Sequence, residues 1–365
     1  MRFQAPEAPP AVAGSTILTL EDLGWQSWFA EHLPAEAPDQ LTLGRVSIGY
    51  RDQVRVITLQ GEHNARFGAG LSRDGLPAVG DWVLISPRSE SSEPTVEVVL
   101  PRRTAFSRKT AGDTAVEQVV AANVDTVFLV EPCPTLNPRR LERTLVAAWS
   151  SGARPVVILS KSDLVADDDV QRQKAKRIGH GVPVLVISTL VDSSLDAVLE
   201  HCQRGQTIAL IGSSGAGKST LVNRLVGSEV ARTGAVRKHD GRGRHTTTHR
   251  ELIRLPHGGL IIDTPGLREI QLWDAHEGII RAFDDIETLA QQCRFRDCSH
   301  GTEADCAVRS AVETGSLDSN RLRSYQNLNR ELQHVESKFD QRLRDQTKQR
   351  DRVIHRQMRH YRPRD

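Results

Sequence analysis

Gly212-Ser213-Ser214-Gly215-Ala216-Gly217-Lys218-Ser219 constrains this chain more than any other stretch. It fits G-x-x-x-x-G-K-[ST], follows the apolar run Thr207-Ile208-Ala209-Leu210-Ile211, and leads into the helical pattern Thr220-Leu221-Val222-Asn223-Arg224-Leu225. Strand, glycine-rich loop and helix in that order make a phosphate cradle: backbone N–H groups curl around the phosphates and the helix N-terminus adds positive potential. Residues Gly212 to Thr220 are the expected phosphate contacts, with Lys218 on the β- and γ-phosphates and Ser219 on Mg²⁺. Such a loop needs a parallel sheet around it. Asp125-Thr126-Val127-Phe128-Leu129-Val130, Pro155-Val156-Val157-Ile158-Leu159 and Pro183-Val184-Leu185-Val186-Ile187 are further near-continuous apolar runs, as strands covered on both faces should be. Helical stretches such as Arg139 to Ser150 and Ser194 to His201 alternate with them, which implies a doubly wound α/β domain.

Two downstream segments complete a nucleotide switch. Gly259-Leu260-Ile261-Ile262-Asp263-Thr264-Pro265-Gly266 reads as a strand ending in Asp-x-x-Gly. Asp263 is expected to hold Mg²⁺ through water, and the Gly266 N–H to sense the γ-phosphate. Arg242-Gly243-Arg244-His245-Thr246-Thr247-Thr248 lies between it and the phosphate loop, and Thr247 is the expected switch ligand to Mg²⁺.

The base is read from Ser160-Lys161-Ser162-Asp163, which follows an apolar strand as an Asn-Lys-x-Asp loop would. The Asp163 carboxylate can accept hydrogen bonds from guanine N1 and N2 while the Lys161 stem stacks over the ring. Serine at 160 in place of asparagine is expected to cost a bracing amide. Ser188-Thr189 ends a later strand and can offer a backbone N–H to guanine O6. Both base loops precede the phosphate loop, so the motifs run in a circularly permuted order around one sheet. A P-loop ATPase or small-molecule kinase stays open at this point, as does a passive RNA-binding protein.

The flanks differ in texture. Residues 41–105 carry short alternating stretches (Val46, Ile48 and Tyr50; Val54, Val56 and Thr58) broken by Gly and Pro, the pattern of a small β-barrel, OB-type or SH3-like. Residues 1–40 open Pro/Ala-rich and then form an amphipathic segment around Leu23, Trp25, Trp28 and Phe29. Beyond about 270 the patterns are helical. There Cys293-x4-Cys298-x-His300-x5-Cys306 supplies three thiolates and an imidazole, the set for one closed structural Zn²⁺ site. Cys133 and Cys202 stand apart and read as core residues. Ten Lys and Arg against four Asp follow Glu336 on a chain of net charge +2, so that basic end, with Arg102, Arg103, Arg108 and Lys109, suggests a polyanionic partner. The first residues lack a secretory pattern, and no apolar run is long enough to span a membrane.

Taken with Arg102-Arg103-Thr104-Ala105-Phe106-Ser107-Arg108-Lys109 and the cysteine cluster, these motifs resemble the bacterial small-ribosomal-subunit-dependent GTPase A family over about residues 40–320. The resemblance implies an N-terminal OB barrel (41–110, after an extension 1–40), a permuted GTPase domain (111–272) and a helical zinc domain with a basic tail (273–365). It implies a cytoplasmic GTPase that uses GTP/GDP, Mg²⁺ and one Zn²⁺. It also implies maturation of the small (30S) ribosomal subunit through its 16S rRNA; a monomer is expected. Leu267 occupies the position where many GTPases carry the water-orienting glutamine. His245 is therefore the expected catalytic group, acting with Lys218 and Thr247.

Overall fold

The computed structural model describes residues 18–34, 40–72, 75–87, 93–109, 117–227, 250–263, 275–335 and 337. The chain divides into two compact units: Met1–Thr110 with Val116–Gln271, and Leu272–Asp365 with Ala111–Ala115.

The first unit starts with a helical turn, Glu21–Leu23, and a short helix α1 (Ser27–Glu31). Strands β1 (Thr42–Gly49), β2 (Gln53–Thr58), β3 (Gly61–Phe67), β4 (Trp82–Ile85) and β5 (Thr95–Val99) follow. They pair in the order β1-β2-β3-β5-β4, and β4 returns to β1, so the sheet closes into a five-stranded barrel. The β3–β5 pairing is parallel and the others are antiparallel, the arrangement expected of an OB-type barrel rather than an SH3-like one. Alternate residues Val46, Val54, Val56, Ala65, Val83, Ile85 and Val96 fill the interior. β4 is buried at every position, because Leu20, Leu23 and Phe29 of the N-terminal segment cover Trp82 on its outer face. Trp25 meets Trp82 edge-on at 4.8 Å. Each aliphatic or phenyl side chain so covered contributes about 1.5–3 kcal/mol, so the amphipathic segment is a cap on the barrel.

Sequence patterning did not single out Arg45. It is fully buried, and its guanidinium donates to the carbonyls of Gly80 (3.2 Å), Asn123 (3.0 Å) and Leu23. One side chain thereby joins the cap, the barrel and the residues leading into the α/β sheet. Burial lowers its pKa to about 10, still well above neutral pH, so it stays charged against carbonyl dipoles. Asp22 ties the same cap to Arg204 at 2.6 Å, and that guanidinium holds the carboxyl down to about 2.

After the antiparallel pair β6 (Ala105–Lys109) and β7 (Glu117–Ala122) comes the α/β sheet. Its strands are β8 (Thr126–Pro132), β9 (Arg154–Ser160), β10 (Val184–Val186), β11 (Thr207–Ile211), β12 (Glu251–Arg254) and β13 (Leu260–Asp263). The order is β10-β9-β8-β11-β13-β12, all parallel except β12, which also bridges to β1 of the barrel through Ile48 and Glu251. Helices α2 (Pro138–Ser150), α3 (Asp169–Gly179), α4 (Asp196–Leu199) and α5 (Lys218–Val226) connect or follow the strands. Asn137 caps α2 by accepting from the Arg140 N–H, with Pro138 supplying the first-turn φ. Cys133 and Cys202 are buried, in line with their reading as core residues. The chain builds β8, β9 and β10 outward in one direction, then returns to place β11 on the other side of β8. Ligands bind at such a reversal, outside the carboxyl ends of the strands.

The second unit holds α6 (His276–Ala282), α7 (Asp284–Ala290), α8 (Ala307–Glu313) and α9 (319–335). No helix among the described residues is long and apolar enough to cross a membrane.

Candidate functional site

Every sequence-predicted nucleotide residue that is described lies at a carboxyl end of a parallel strand. Ser160 ends β9 and Lys161 to Asp163 follow it, Ser188 and Thr189 follow β10, Gly212 to Gly217 follow β11 and lead into Lys218 to Thr220 at the start of α5, and Asp263 ends β13. Gly212 passes so close to β8 that a Cβ would lie 2.2 Å from the Val130 carbonyl oxygen, so only glycine fits. Gly217 caps α5 at φ +90°, a left-handed conformation that favours glycine. Lys218 Nζ donates to the carbonyls of Gly212 and Ser213, both at 2.7 Å, so the ammonium curls over its own loop. Ser219 and Thr220 sit half-buried in the first turn of α5.

The base loop corrects one expectation. Ser160 is buried, and its hydroxyl donates to the Ala216 carbonyl of the phosphate loop at 2.6 Å. The Glu131 carbonyl lies farther off at 3.4 Å, so the single proton goes to Ala216. The brace assigned to an asparagine amide is thus kept by a hydroxyl. Next along, Lys161 takes φ +59°, costing about 1–2 kcal/mol for a side-chain-bearing residue. Its neighbour Ser162 is held by an N–H bond to the Ile187 carbonyl at 3.2 Å. Ser188 Oγ donates to Asp163 Oδ1 at 2.6 Å, which joins the two base loops and orients an otherwise exposed carboxylate. Ser194 Oγ in turn holds the Ser188 carbonyl at 2.6 Å. We expect Ser160→Ala to weaken GTP binding about tenfold, since a buried carbonyl left without its partner costs about 1–3 kcal/mol. An unchanged GTP dissociation constant would remove Ser160 from the architecture of the site.

Two further features escaped sequence reasoning. Glu131 follows the apolar run of β8, one residue before the strand ends, with its carboxylate buried, and Arg140 clamps it through Nε at 2.7 and 3.0 Å and through Nη2. That pairing neutralises a negative charge beside a loop built for phosphate; a glutamate closing an apolar run was the available signal. Arg102, taken from sequence as part of a polyanion surface, instead makes a bidentate pair with the buried Asp81, at 2.8 and 2.7 Å. Arg103 pairs with Asp125 at 3.3 Å. Burial raises the Asp81 carboxyl pKa, so the pair satisfies a costly buried acid rather than offering free cations. His245, Thr247, Gly266, Leu267 and the basic tail lie outside the described residues.

In the second unit the four predicted ligands meet. One donor atom from each of Cys293, Cys298, His300 and Cys306 lies within 4.8 Å of all the others. The Cys293–Cys306 sulfurs are 3.8 Å apart, and His300 Nδ1 is 3.7 Å from Cys293 Sγ and 3.5 Å from Cys306 Sγ. A tetrahedron with Zn–S of about 2.3 Å and Zn–N of about 2.0 Å has edges of about 3.8 and 3.5 Å, so these donors fit Zn²⁺. His300 takes φ +57°, and Gln326 Nε2 on α9 holds its carbonyl at 3.1 Å. Burial lowers the imidazole pKa and so favours the neutral, ligating form.

Comparison with known proteins agrees with this geometry. A family model described as RsgA GTPase matches residues 99–273. A second, described as ABC transporter, matches 195–360; the two spans overlap on 195–273, the stretch that holds the phosphate loop. The small ribosomal subunit biogenesis GTPase RsgA of Opitutus terrae is 43% identical over 338 residues, 88% of this chain and 92% of the relative. The Streptomyces avermitilis protein of that name is 44% identical over 342 residues, 92% of this chain and 91% of the relative. Among solved structures, YjeQ from Thermotoga maritima superposes with a TM-score of 0.61 at 26% identity, covering 80% of this chain and 98% of its own. YloQ, described as a circularly permuted GTPase, superposes at 0.59 and 24% identity, covering 83% and 98%, a likeness of fold. With relatives this similar along most of its length, the chain belongs to the RsgA family of small ribosomal subunit biogenesis GTPases.

Proposed function

We propose that this protein binds GTP across the carboxyl ends of β9, β10, β11 and β13, hydrolyses it to GDP and phosphate, and acts in the cytoplasm as a monomeric factor in small-subunit assembly. The 2.6 Å bond from Ser160 Oγ to the Ala216 carbonyl carries the nucleotide reading. It fastens a base-reading loop to a phosphate loop although the chain visits them in permuted order. Asp163 and Lys161 hold guanine, with the backbone of Ser188-Thr189 at O6. The amides of Gly212 to Thr220 surround the phosphates. Lys218 leaves its loop carbonyls for the β- and γ-phosphate oxygens and neutralises charge as the γ-phosphoryl group leaves the bridging oxygen. Ser219 in the first turn of α5 and Asp263 at the end of β13 offer oxygens suited to Mg²⁺, with Thr247 joining when the γ-phosphate is present. Mg²⁺ held by these oxygens would neutralise charge on the phosphates.

His245 takes the water-orienting role that Leu267 cannot fill. The barrel (41–110) and the zinc-binding region (273–365) act as RNA-binding modules that meet 16S rRNA, and the GTPase domain (111–272) turns over the nucleotide. The test is GTP turnover with and without purified small subunits. Turnover should rise on adding subunits, and His245→Ala should abolish the rise while retaining GTP binding. Turnover indifferent to subunits would remove the ribosomal role and leave the nucleotide site standing.

A further inference from the structure

Phe295 departs from the way this chain uses phenylalanine. Phe29, Phe106, Phe128 and Phe283 are all at most 2% exposed, whereas Phe295 is 45% exposed. It sits between the ligands Cys293 and Cys298, in the run Cys293-Arg294-Phe295-Arg296-Asp297-Cys298. The Arg294 guanidinium lies over its ring, 5.4 Å from the centroid. Arg294 is itself steered by Asp305, at 3.0 Å. Backbone bonds fix the turn: the Cys298 N–H points to the Phe295 carbonyl at 3.4 Å, and the Arg294 N–H to the Asp305 carbonyl at 3.5 Å. Arg296 is exposed, and no carboxylate among the described residues pairs with it.

We propose that Phe295 is a stacking platform for an unpaired RNA base, with Arg294 backing the ring and Arg296 reaching the adjoining phosphate. The proposal rests on the ribosomal reading above and names the residue that would make the contact. A planar ring held by a metal-closed loop meets a base at little entropic cost, and every base offers a π-face. Duplex RNA hides those faces in its own stack, so the platform selects single-stranded loops and bulges. Asp297 and Asp305 offset much of the local positive charge, so the ring rather than net charge supplies the contact. A protein partner fits less well. The only other large exposed apolar side chain among the described residues of this unit is Ile280, and a protein interface needs a contiguous apolar centre.

The test uses the full-length zinc-loaded protein and its Phe295→Ala, Phe295→Leu and Phe295→Trp variants, each first shown to hold one zinc per chain. Binding is measured to small subunits, to a short unstructured single-stranded RNA, and to a duplex of the same sequence. Removing one stacked base should weaken binding to subunits and single strand roughly ten- to a hundredfold and leave the duplex unaffected. Phe295→Leu should behave as the alanine variant does. Phe295→Trp should keep its affinity, and its added indole fluorescence should be quenched on binding. Full affinity in the leucine variant would overturn stacking in favour of a merely apolar contact, and so would equal losses on single strand and duplex. Wild-type protein that binds subunits no better than Phe295→Ala does, while still binding them, overturns this inference alone. Wild-type protein that ignores subunits overturns the ribosomal reading beneath it.

Discussion

Asp163→Asn is expected to turn this protein from a GTP-binding into an XTP-binding one. The carboxylate has one oxygen oriented by Ser188 Oγ at 2.6 Å, and a guanine read by it would donate from N1 and N2. Charge-assisted hydrogen bonds of this kind are worth about 1.5–3 kcal/mol each, so losing two should weaken GTP by about a hundredfold or more. Asparagine keeps the shape of the side chain and keeps a carbonyl oxygen for the Ser188 hydroxyl. Its amide offers a donor where guanine presents another, and xanthine presents an acceptor there instead. Affinity for XTP should therefore rise as affinity for GTP falls, a crossing that a misfolded loop would not produce. Titrating both nucleotides against both proteins decides the point. Equal GTP affinity in the two would show that Asp163 does not read the base, and would reopen an ATPase.

Removing zinc should have a comparably large effect on the other unit. Structural zinc contributes an apparent 10–16 kcal/mol or so in small domains, about as much as a whole domain's net stability of roughly 5–15 kcal/mol. Cys306 is both a donor and the cap of α8, where its sulfur accepts from the Arg309 N–H at 3.5 Å. Arg321 on α9 clamps Asp285 of α7 at 2.6 and 2.7 Å and lies over Phe283, and Tyr325 donates to Glu287 at 2.8 Å. These contacts link the helices to one another and Gln326 links α9 to the ligand loop, so the unit should lose helix as a whole. A strong chelator, or Cys306→Ser, should release one zinc per chain and remove this unit's share of the far-UV signal. GTP binding should survive, because the described nucleotide residues belong to the other unit. Purified protein without zinc, or helix content unmoved by chelation, would refute the site.

Local patterns made much of this protein legible. The phosphate loop could be read because glycine, lysine and serine at fixed spacing are demanded by backbone approach to phosphate, and the strand before it and helix after it are local too. The Cys/His cluster could be read because its four donors lie within one short stretch. The continuous burial of β4 is different: Leu20, Leu23 and Phe29 come from far earlier in the chain to cover its outer face. Patterning also marked Arg102 as a surface cation, because nothing near it in sequence announces Asp81 as its buried partner.

The phosphate loop divides between sequence and fold. Its identity could be read from sequence alone, since it depends on residue types a few positions apart, and the permuted order of its partners follows from where each such local motif falls along the chain. What Ser160 holds there is visible only in the fold. The hydroxyl's acceptor, Ala216, lies 56 residues onward and comes within 2.6 Å only because β9 and β11 flank β8 in one sheet. A hydrogen bond is set by distance and direction in space, and linear spacing records neither.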